Sequence, residues 1–302
     1  MVSVRLNGVS KRFGKIRALS EVNMAVETPG CIGILGPNGA GKTTMLKILT
    51  NVLRPDRGTA EINGISVSEF PAKALSHVGA LVEEPEFYPY LTGREILSFV
   101  IRIRDRSIDV KSEINRVSRL TSIAPYLDRK SGGFSKGMKQ RLGVAVALAC
   151  NPEILILDEP TFGLDPAGMK DMRDLVADLK AGNDKIILLS THLIYEAQEL
   201  CDRIVIIDSG KIQHDTLGEH TNQIKIELEK AEAAPKPPAN LVADWRVNGA
   251  TIVARKADGI TNSEVISFLL SSGSRVKWVT PYNDLEDTYI RITKGSPENK
   301  LY

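Results

Sequence analysis

Residues 36–44 read Gly-Pro-Asn-Gly-Ala-Gly-Lys-Thr-Thr, which fits G-x-x-x-x-G-K-[ST] with Gly36, Gly41, Lys42 and Thr43 in the fixed places. The spacing has a physical cause. Glycines let the backbone turn so that successive N–H groups point inward at phosphate oxygens. The helix that follows presents its positive N-terminus to the same anion. The whole run, Gly36, Pro37, Asn38, Gly39, Ala40, Gly41, Lys42, Thr43 and Thr44, is therefore read as a nucleotide-binding loop. Lys42 reaches the β- and γ-phosphates and Thr43 places its hydroxyl on Mg²⁺. The context agrees: an apolar run, Cys31–Leu35, reads as a buried strand leading in. A helix over 43–53 leads out, stopped by the turn Arg54-Pro55-Asp56-Arg57-Gly58.

Working outward, Ile154-Leu155-Ile156-Leu157-Asp158-Glu159 is an apolar strand with two carboxylates at its end. Ligand sites in open α/β sheets lie at strand carboxyl ends. Asp158 is placed to hold Mg²⁺. Glu159, one residue on, points elsewhere and can polarise an attacking water as general base. His192 follows a further apolar strand in Ser190-Thr191-His192, so it reaches the same sheet edge, where an imidazole can hydrogen-bond a γ-phosphate and hold water. The candidate catalytic residues are Glu159, His192 and Lys42.

The rest of the chain supplies the frame. Residues 1–28 alternate apolar and polar positions (Val2, Val4, Leu6, then Val22, Met24, Val26), which reads as antiparallel strands with one wet face. Further strands are expected over 59–63 and 78–82. Across 92–150 the apolar positions recur at helical spacing (Ile96, Leu97, Val100, Ile101, then Ile114, Val117, Leu120, Ile123). Ile154–Leu157, Ile186–Leu189 and Ile204–Ile207 are short, nearly all-apolar runs, as in parallel strands buried on both faces. Pro235-Lys236-Pro237-Pro238 reads as a stiff, extended linker marking a boundary. After it come two strands (Leu241–Val247, Thr251–Arg255), a helix near 261–272, a strand near 275–280 and a closing helix.

Composition limits the function classes. The chain has 302 residues, 42% hydrophobic and 25% charged, enough to bury a full core without disulfides or structural metal. Its 39 basic against 37 acidic residues leave a formal charge of +2. That excludes nucleic-acid binding by bulk electrostatics. The longest apolar stretch, Leu142–Cys150, falls well short of the roughly 20 residues of a transmembrane helix, and the opening segment has no apolar core of a signal peptide. Cys31, Cys150 and Cys201 lack metal or redox spacing and read as reduced, small apolar residues.

A further motif is Phe134-Ser135-Lys136-Gly137-Met138-Lys139-Gln140-Arg141. It resembles the L-S-G-G-Q signature of ATP-binding-cassette (ABC) ATPases at Ser135, Gly137, Gln140 and Arg141, and departs from it at Phe134, Lys136 and Met138. The resemblance covers about residues 1–215 and keeps the family's order of motifs. It implies an α/β P-loop fold: a RecA-like parallel core, an antiparallel β subdomain and an inserted helical subdomain (about 86–145) in an ATPase domain over 1–220. A small α+β accessory domain over 221–302 follows. The resemblance further implies that Phe13 stacks on adenine and that Asp165, in Gly163-Leu164-Asp165-Pro166, lies on a loop crossing between two subunits. Ser135, Lys136, Gly137 and Met138 then meet the ATP bound by the opposite subunit. The family's usual glutamine after the strand near 78–82 is Glu83 here, and it joins Thr43 and Asp158 as a candidate metal ligand.

A chain with one cassette and no span implies a homodimer, or a heterodimer with a similar cassette, around two ATP. It also implies a separate multi-span permease, with the cassette held peripherally at the cytoplasmic face of the membrane. Glu83 followed by Pro-x-Phe-Tyr-Pro-x-Leu-Thr-Gly-Arg-Glu resembles peptide-antibiotic resistance and lantibiotic-immunity exporters, with Phe87, Tyr88 and Tyr90 as a docking surface. A regulatory cassette that signals without moving substrate is the alternative left open. Leu285-Glu286-Asp287-Thr288-Tyr289-Ile290 resembles an ending common in export-type cassettes.

Overall fold

The computed structural model describes residues 2–217, 223–230, 235–257, 259–281 and 285–293. The chain begins β1 (Val4–Phe13), β2 (Ile16–Val26), β3 (Gly30–Leu35), α1 (Lys42–Leu49), β4 (Arg57–Ile62), β5 (Ile65–Ser66), α2 (Pro71–Ala74) and β6 (Val78–Leu81). A helical stretch follows: α3 (Gly93–Arg104), α4 (Val110–Leu120) and α5 (Lys136–Leu148). Strands then alternate with helices through β7 (Ile154–Asp158), α6 (Pro166–Ala181), β8 (Ile186–Thr191), α7 (Ile194–Leu200), β9 (Arg203–Asp208) and β10 (Lys211–Asp215). The last part holds β11 (Gln223–Leu228), β12 (Val242–Asn248), β13 (Thr251–Lys256), α8 (Asn262–Ser271), β14 (Val276–Pro281) and α9 (Leu285–Thr293).

The alternating N-terminal pattern forms an antiparallel sheet of order β2-β1-β4-β5. The apolar runs form a second sheet of order β10-β9-β3-β8-β7-β6, parallel except for β10. Strand periodicity decides which core each side chain enters. Ile32, Ile34, Ile154, Ile156, Ile186, Leu188, Val205 and Ile207 pack with the antiparallel sheet and α1. Cys31, Leu155, Leu157, Ile187 and Leu189 pack with α3, α4, α5 and α6. Burial on both faces is why these strands lack polar positions, and it leaves their carboxyl ends as the place for polar chemistry. The helix leaving the phosphate loop is shorter than the 43–53 expectation: it stops at Leu49, with Asn51 in the left-handed region at φ 56°.

The helical stretch has conventional starts. Thr92 and Glu95 form a reciprocal capping box on α3, while Asp109 caps α4 and Ser135 caps α5. Two arginines clasp the other end of α5. Arg116 donates to the Leu148 carbonyl (2.8 Å) and to Glu113 (2.7 Å). Arg104 donates to the Val78 carbonyl at 2.5 Å, and its second nitrogen lies 3.5 Å from the Ala147 carbonyl. Glu113 also accepts from the Cys150 N–H at 2.7 Å. The Arg116 guanidinium holds the Glu113 carboxyl below the ordinary carboxylate range.

The chain divides into two compact units, Met1–Leu217 with Ile292–Tyr302, and Gly218–Arg291. The second has a four-stranded antiparallel sheet of order β12-β13-β11-β14 whose Ile224, Ile226, Ile252 and Ala254 pack with Val265 and Leu269 of α8. Here the structure corrects the proline reading. β11 precedes Pro235–Pro238, yet it sits between β13 and β14 in this sheet. The prolines therefore lie inside the second unit and do not divide it from the first. Among the described residues no helix is long and apolar enough to cross a membrane.

β6 lies so close to α5 that a Cβ on Gly79 would stand 1.9 Å from the Ala147 carbonyl oxygen. Gly79→Ala is expected to force strand and helix apart at a cost of roughly 1–3 kcal/mol. Thermal unfolding followed by circular dichroism should show the midpoint falling by several degrees, and an unchanged midpoint would refute the tight contact.

Candidate active site

The phosphate-loop sequence leaves β3 and enters α1. Gly36 is required by close approach, because a Cβ there would be 2.3 Å from the Ile207 carbonyl oxygen. Gly41 is required by conformation as well as space: its φ is +111°, and a Cβ would be 2.6 Å from the Ala18 oxygen. The loop is tied at both ends, since the Gly36 N–H donates to the Thr191 carbonyl (3.3 Å) and the Gly210 N–H to the Ala40 carbonyl (3.0 Å). Lys42 opens α1 with a side chain only 5% exposed. Its ammonium donates to the carbonyls of Gly36 (2.8 Å) and Pro37 (3.1 Å).

The same ammonium lies 3.1 Å from Glu159 Oε1, and Glu159 Oε2 lies 3.0 Å from His192 Nδ1. One carboxylate thus bridges Lys42 and His192, the three residues that sequence reasoning marked as catalytic. Glu159 is aimed there by its backbone. It follows β7 with φ 43°, a left-handed conformation costing a non-glycine residue about 1–3 kcal/mol. Its N–H is anchored on the carbonyl (3.1 Å) and the hydroxyl (2.9 Å) of Ser190 in β8. The Ser190 hydroxyl donates to Asp158 Oδ1 at 2.5 Å. Ser190 therefore holds the Asp158 carboxylate and the Glu159 backbone at once. The sequence reading quoted it beside His192 and gave it no role, because its use depends on the β7–β8 register of Asp158 opposite Ser190.

A cleft beside these groups is lined by Thr43, Glu83, Asp158, Glu159, Gln140 and Phe162. Thr43 and Asp158 offer the hard oxygen donors that suit Mg²⁺, a cation usually held by one or two protein groups and by substrate phosphates. The donor set fits that group. No cluster of three His, Cys, Asp or Glu side chains suited to a metal occurs among the described residues, so these residues alone do not enclose a cation. Glu83, with φ 68°, stands at the end of β6 and pairs with Lys47 of α1, which offsets the charge it adds to the cleft.

The remaining candidates lie on other elements. Phe13 ends β1 at the β1–β2 hairpin, 46% exposed, with the Lys11 ammonium 5.8 Å from its ring centroid. Ser135 caps α5 by accepting from the Met138 N–H at 3.3 Å. Lys136 reaches Glu84 (3.4 Å) and lies 4.5 Å from the Phe162 ring centroid, while Met138 packs partly into the helical core. Phe162 meets His192 edge-on, with centroids 6.2 Å apart. Gln140 is buried and donates to the Pro160 carbonyl at 3.0 Å, tying the signature helix to the loop after Glu159. Asp165 caps α6 by accepting from the Gly168 N–H at 2.9 Å.

The profile of the ABC transporter family matches residues 19–162. An uncharacterised ABC transporter ATP-binding protein of Bacillus subtilis, YdbJ, is 36% identical over 98% of this chain and 96% of its own. The bacitracin transport ATP-binding protein BcrA of Bacillus licheniformis is 37% identical over 97% of each. Among solved structures, a dimeric post-hydrolysis cassette, MJ0796 bound to ADP and Pi, superposes with a TM-score of 0.65 at 25% identity, over 70% of this chain and 97% of that one. The chain belongs to the ABC transporter family, as an ATP-binding and ATP-hydrolysing cassette.

Proposed function

We propose that this cassette pairs with a second copy or a similar chain around two ATP and drives a separate permease that exports antimicrobial peptides or related amphiphiles. The observation that carries the reading is Glu159 held between Lys42 and His192 at the carboxyl ends of adjacent strands. The likeness to BcrA, which is named for bacitracin transport, supports the substrate class. The dimeric MJ0796 cassette supports the pairing.

The chemistry follows from the residues. The phosphate-loop N–H groups and Lys42 receive the β- and γ-phosphates, with Phe13 against the adenine. A γ-phosphate competes with Glu159 for the Lys42 ammonium, since both are anions. Glu159, released from Lys42 and still held by His192, accepts the proton of the attacking water. Thr43 and Asp158, with Glu83 nearby, would hold Mg²⁺, which would supply screening of the phosphate charge. Ser135, Lys136, Gly137 and Met138 contact the opposite subunit's ATP at an α5 N-terminus whose positive end suits phosphate. Asp165 lies on the loop between the two subunits. Glu83 and the exposed Tyr88 and Tyr90, with the exposed Phe99 of α3, form the permease face. That assembly places the cassette at the cytoplasmic side of the membrane.

Glu159→Gln should keep ATP binding, lose about 10²- to 10⁴-fold in turnover and run as a dimer with ATP on size exclusion. A monomeric, fully active variant would remove both the base and the pairing. Lys42→Ala should weaken nucleotide binding about 10- to 100-fold by calorimetry, and unchanged affinity would overturn the cradle. The transport claim is tested by expressing the chain with a multi-span protein co-purified on the ATP-locked Glu159→Gln bait. A rise in bacitracin tolerance that Glu159→Gln abolishes is expected. Capture of soluble partners alone, with no change in tolerance, would favour signalling over export.

A further inference from the structure

Glu196 is fully buried, at 0% exposure, in the first turn of α7. Its Oε2 accepts a hydrogen bond from the Thr191 hydroxyl at 2.5 Å. Among the described residues its Oε1 has no hydrogen-bond partner. On α6, Arg173 donates an Nη–H to Glu199 at 2.9 Å, and its buried Nε likewise has no partner among the described residues. Burying a carboxylate with half its accepting capacity unmet is costly, and an apolar side chain would fill the same space at lower cost. Among the described residues the polar end has one hydrogen-bond partner, Thr191.

Thr191 joins three parts of the site. Its carbonyl accepts the Gly36 N–H that starts the phosphate loop, at 3.3 Å. Its hydroxyl accepts from the Leu193 N–H at 3.1 Å. A hydroxyl has a single proton, and Glu196 takes it, which turns the hydroxyl lone pairs toward Leu193. The Thr191–Leu193 bond closes a short turn around His192, the residue between them. His192 Nδ1 then meets Glu159 at 3.0 Å. We propose that Glu196 is a positioning residue for ATP hydrolysis: by orienting the Thr191 hydroxyl it locks the turn that holds the His192 ring against Glu159. This inference rests on the roles given above to Glu159 and His192.

The test is steady-state ATPase kinetics of the full chain. Reach and charge are separated by two substitutions. Glu196→Gln keeps the length and an oxygen that accepts the hydroxyl, so kcat should stay within about twofold. Glu196→Asp keeps the charge but is one methylene short, and Glu196→Leu removes the acceptor. Both should lower kcat about 10- to 100-fold, the effect of a small misplacement, with KM for ATP nearly unchanged. In a His192→Ala background Glu196→Leu should add no further loss, because the two act as one unit. If the Glu196 variants fail to fold, Thr191→Val breaks the same tie from the other end, and Thr191→Ser should restore the rate. Activity kept by Asp and lost by Gln would overturn the proposal, as would losses that multiply in the His192→Ala background. A His192→Ala chain with normal kcat would withdraw the role of His192 and this inference together. Normal kcat in Glu196→Leu beside a slow His192→Ala would withdraw this inference alone.

Discussion

The carbonyl oxygen of Ile207 lies where a side chain at residue 36 would have to go, 2.3 Å from a notional Cβ. That absence of space organises the rest. β9 and its turn into β10 press against the phosphate loop, Gly210 bonds to Ala40 and Ser20 bonds to Gly210, so the loop is clamped between two sheets. A loop held this firmly can start α1 at Lys42 with a left-handed Gly41, and the buried ammonium is then delivered to one place. Preorganisation of this kind leaves little to rearrange when an anion arrives.

Around that fixed cation the polar groups form linked pairs. Ser190 serves Asp158 and the Glu159 N–H, and Thr191 serves Gly36, Leu193 and Glu196. Two adjacent residues of β8, with side chains alternating as strand geometry demands, steady the Asp158 carboxylate and the turn around His192 separately. The carboxylate of Glu159 stands where the two systems meet.

Much of this was legible in the residue order. The phosphate loop, the apolar strand ending in Asp158-Glu159 and the Ser-Thr-His strand end each carry local chemistry in contiguous residues, so pattern suffices. What escaped depends on register or on edge placement. The bridge from Lys42 through Glu159 to His192 joins three strands distant in sequence, and only their parallel pairing brings the groups within hydrogen-bond reach. Glu196 gave no warning because a glutamate in the first turn of a helix is ordinarily a solvated end group. β11 escaped for a different reason. Gln-Ile-Lys-Ile-Glu-Leu alternates as a half-buried strand should, but so short an alternation is a weaker local signal than the proline cluster that follows it. Proline stiffens a connection as readily within a domain as between two.

The clasp of Arg104 and Arg116 on the last carbonyls of α5 holds the signature helix at the end away from Ser135. With 13 residues, the helix is a rod about 20 Å long, at 1.5 Å per residue. A rod that turns about one end multiplies rotation into displacement. A tilt of about 10° at the clasp swings Ser135 through roughly 3 Å, about the length of a hydrogen bond.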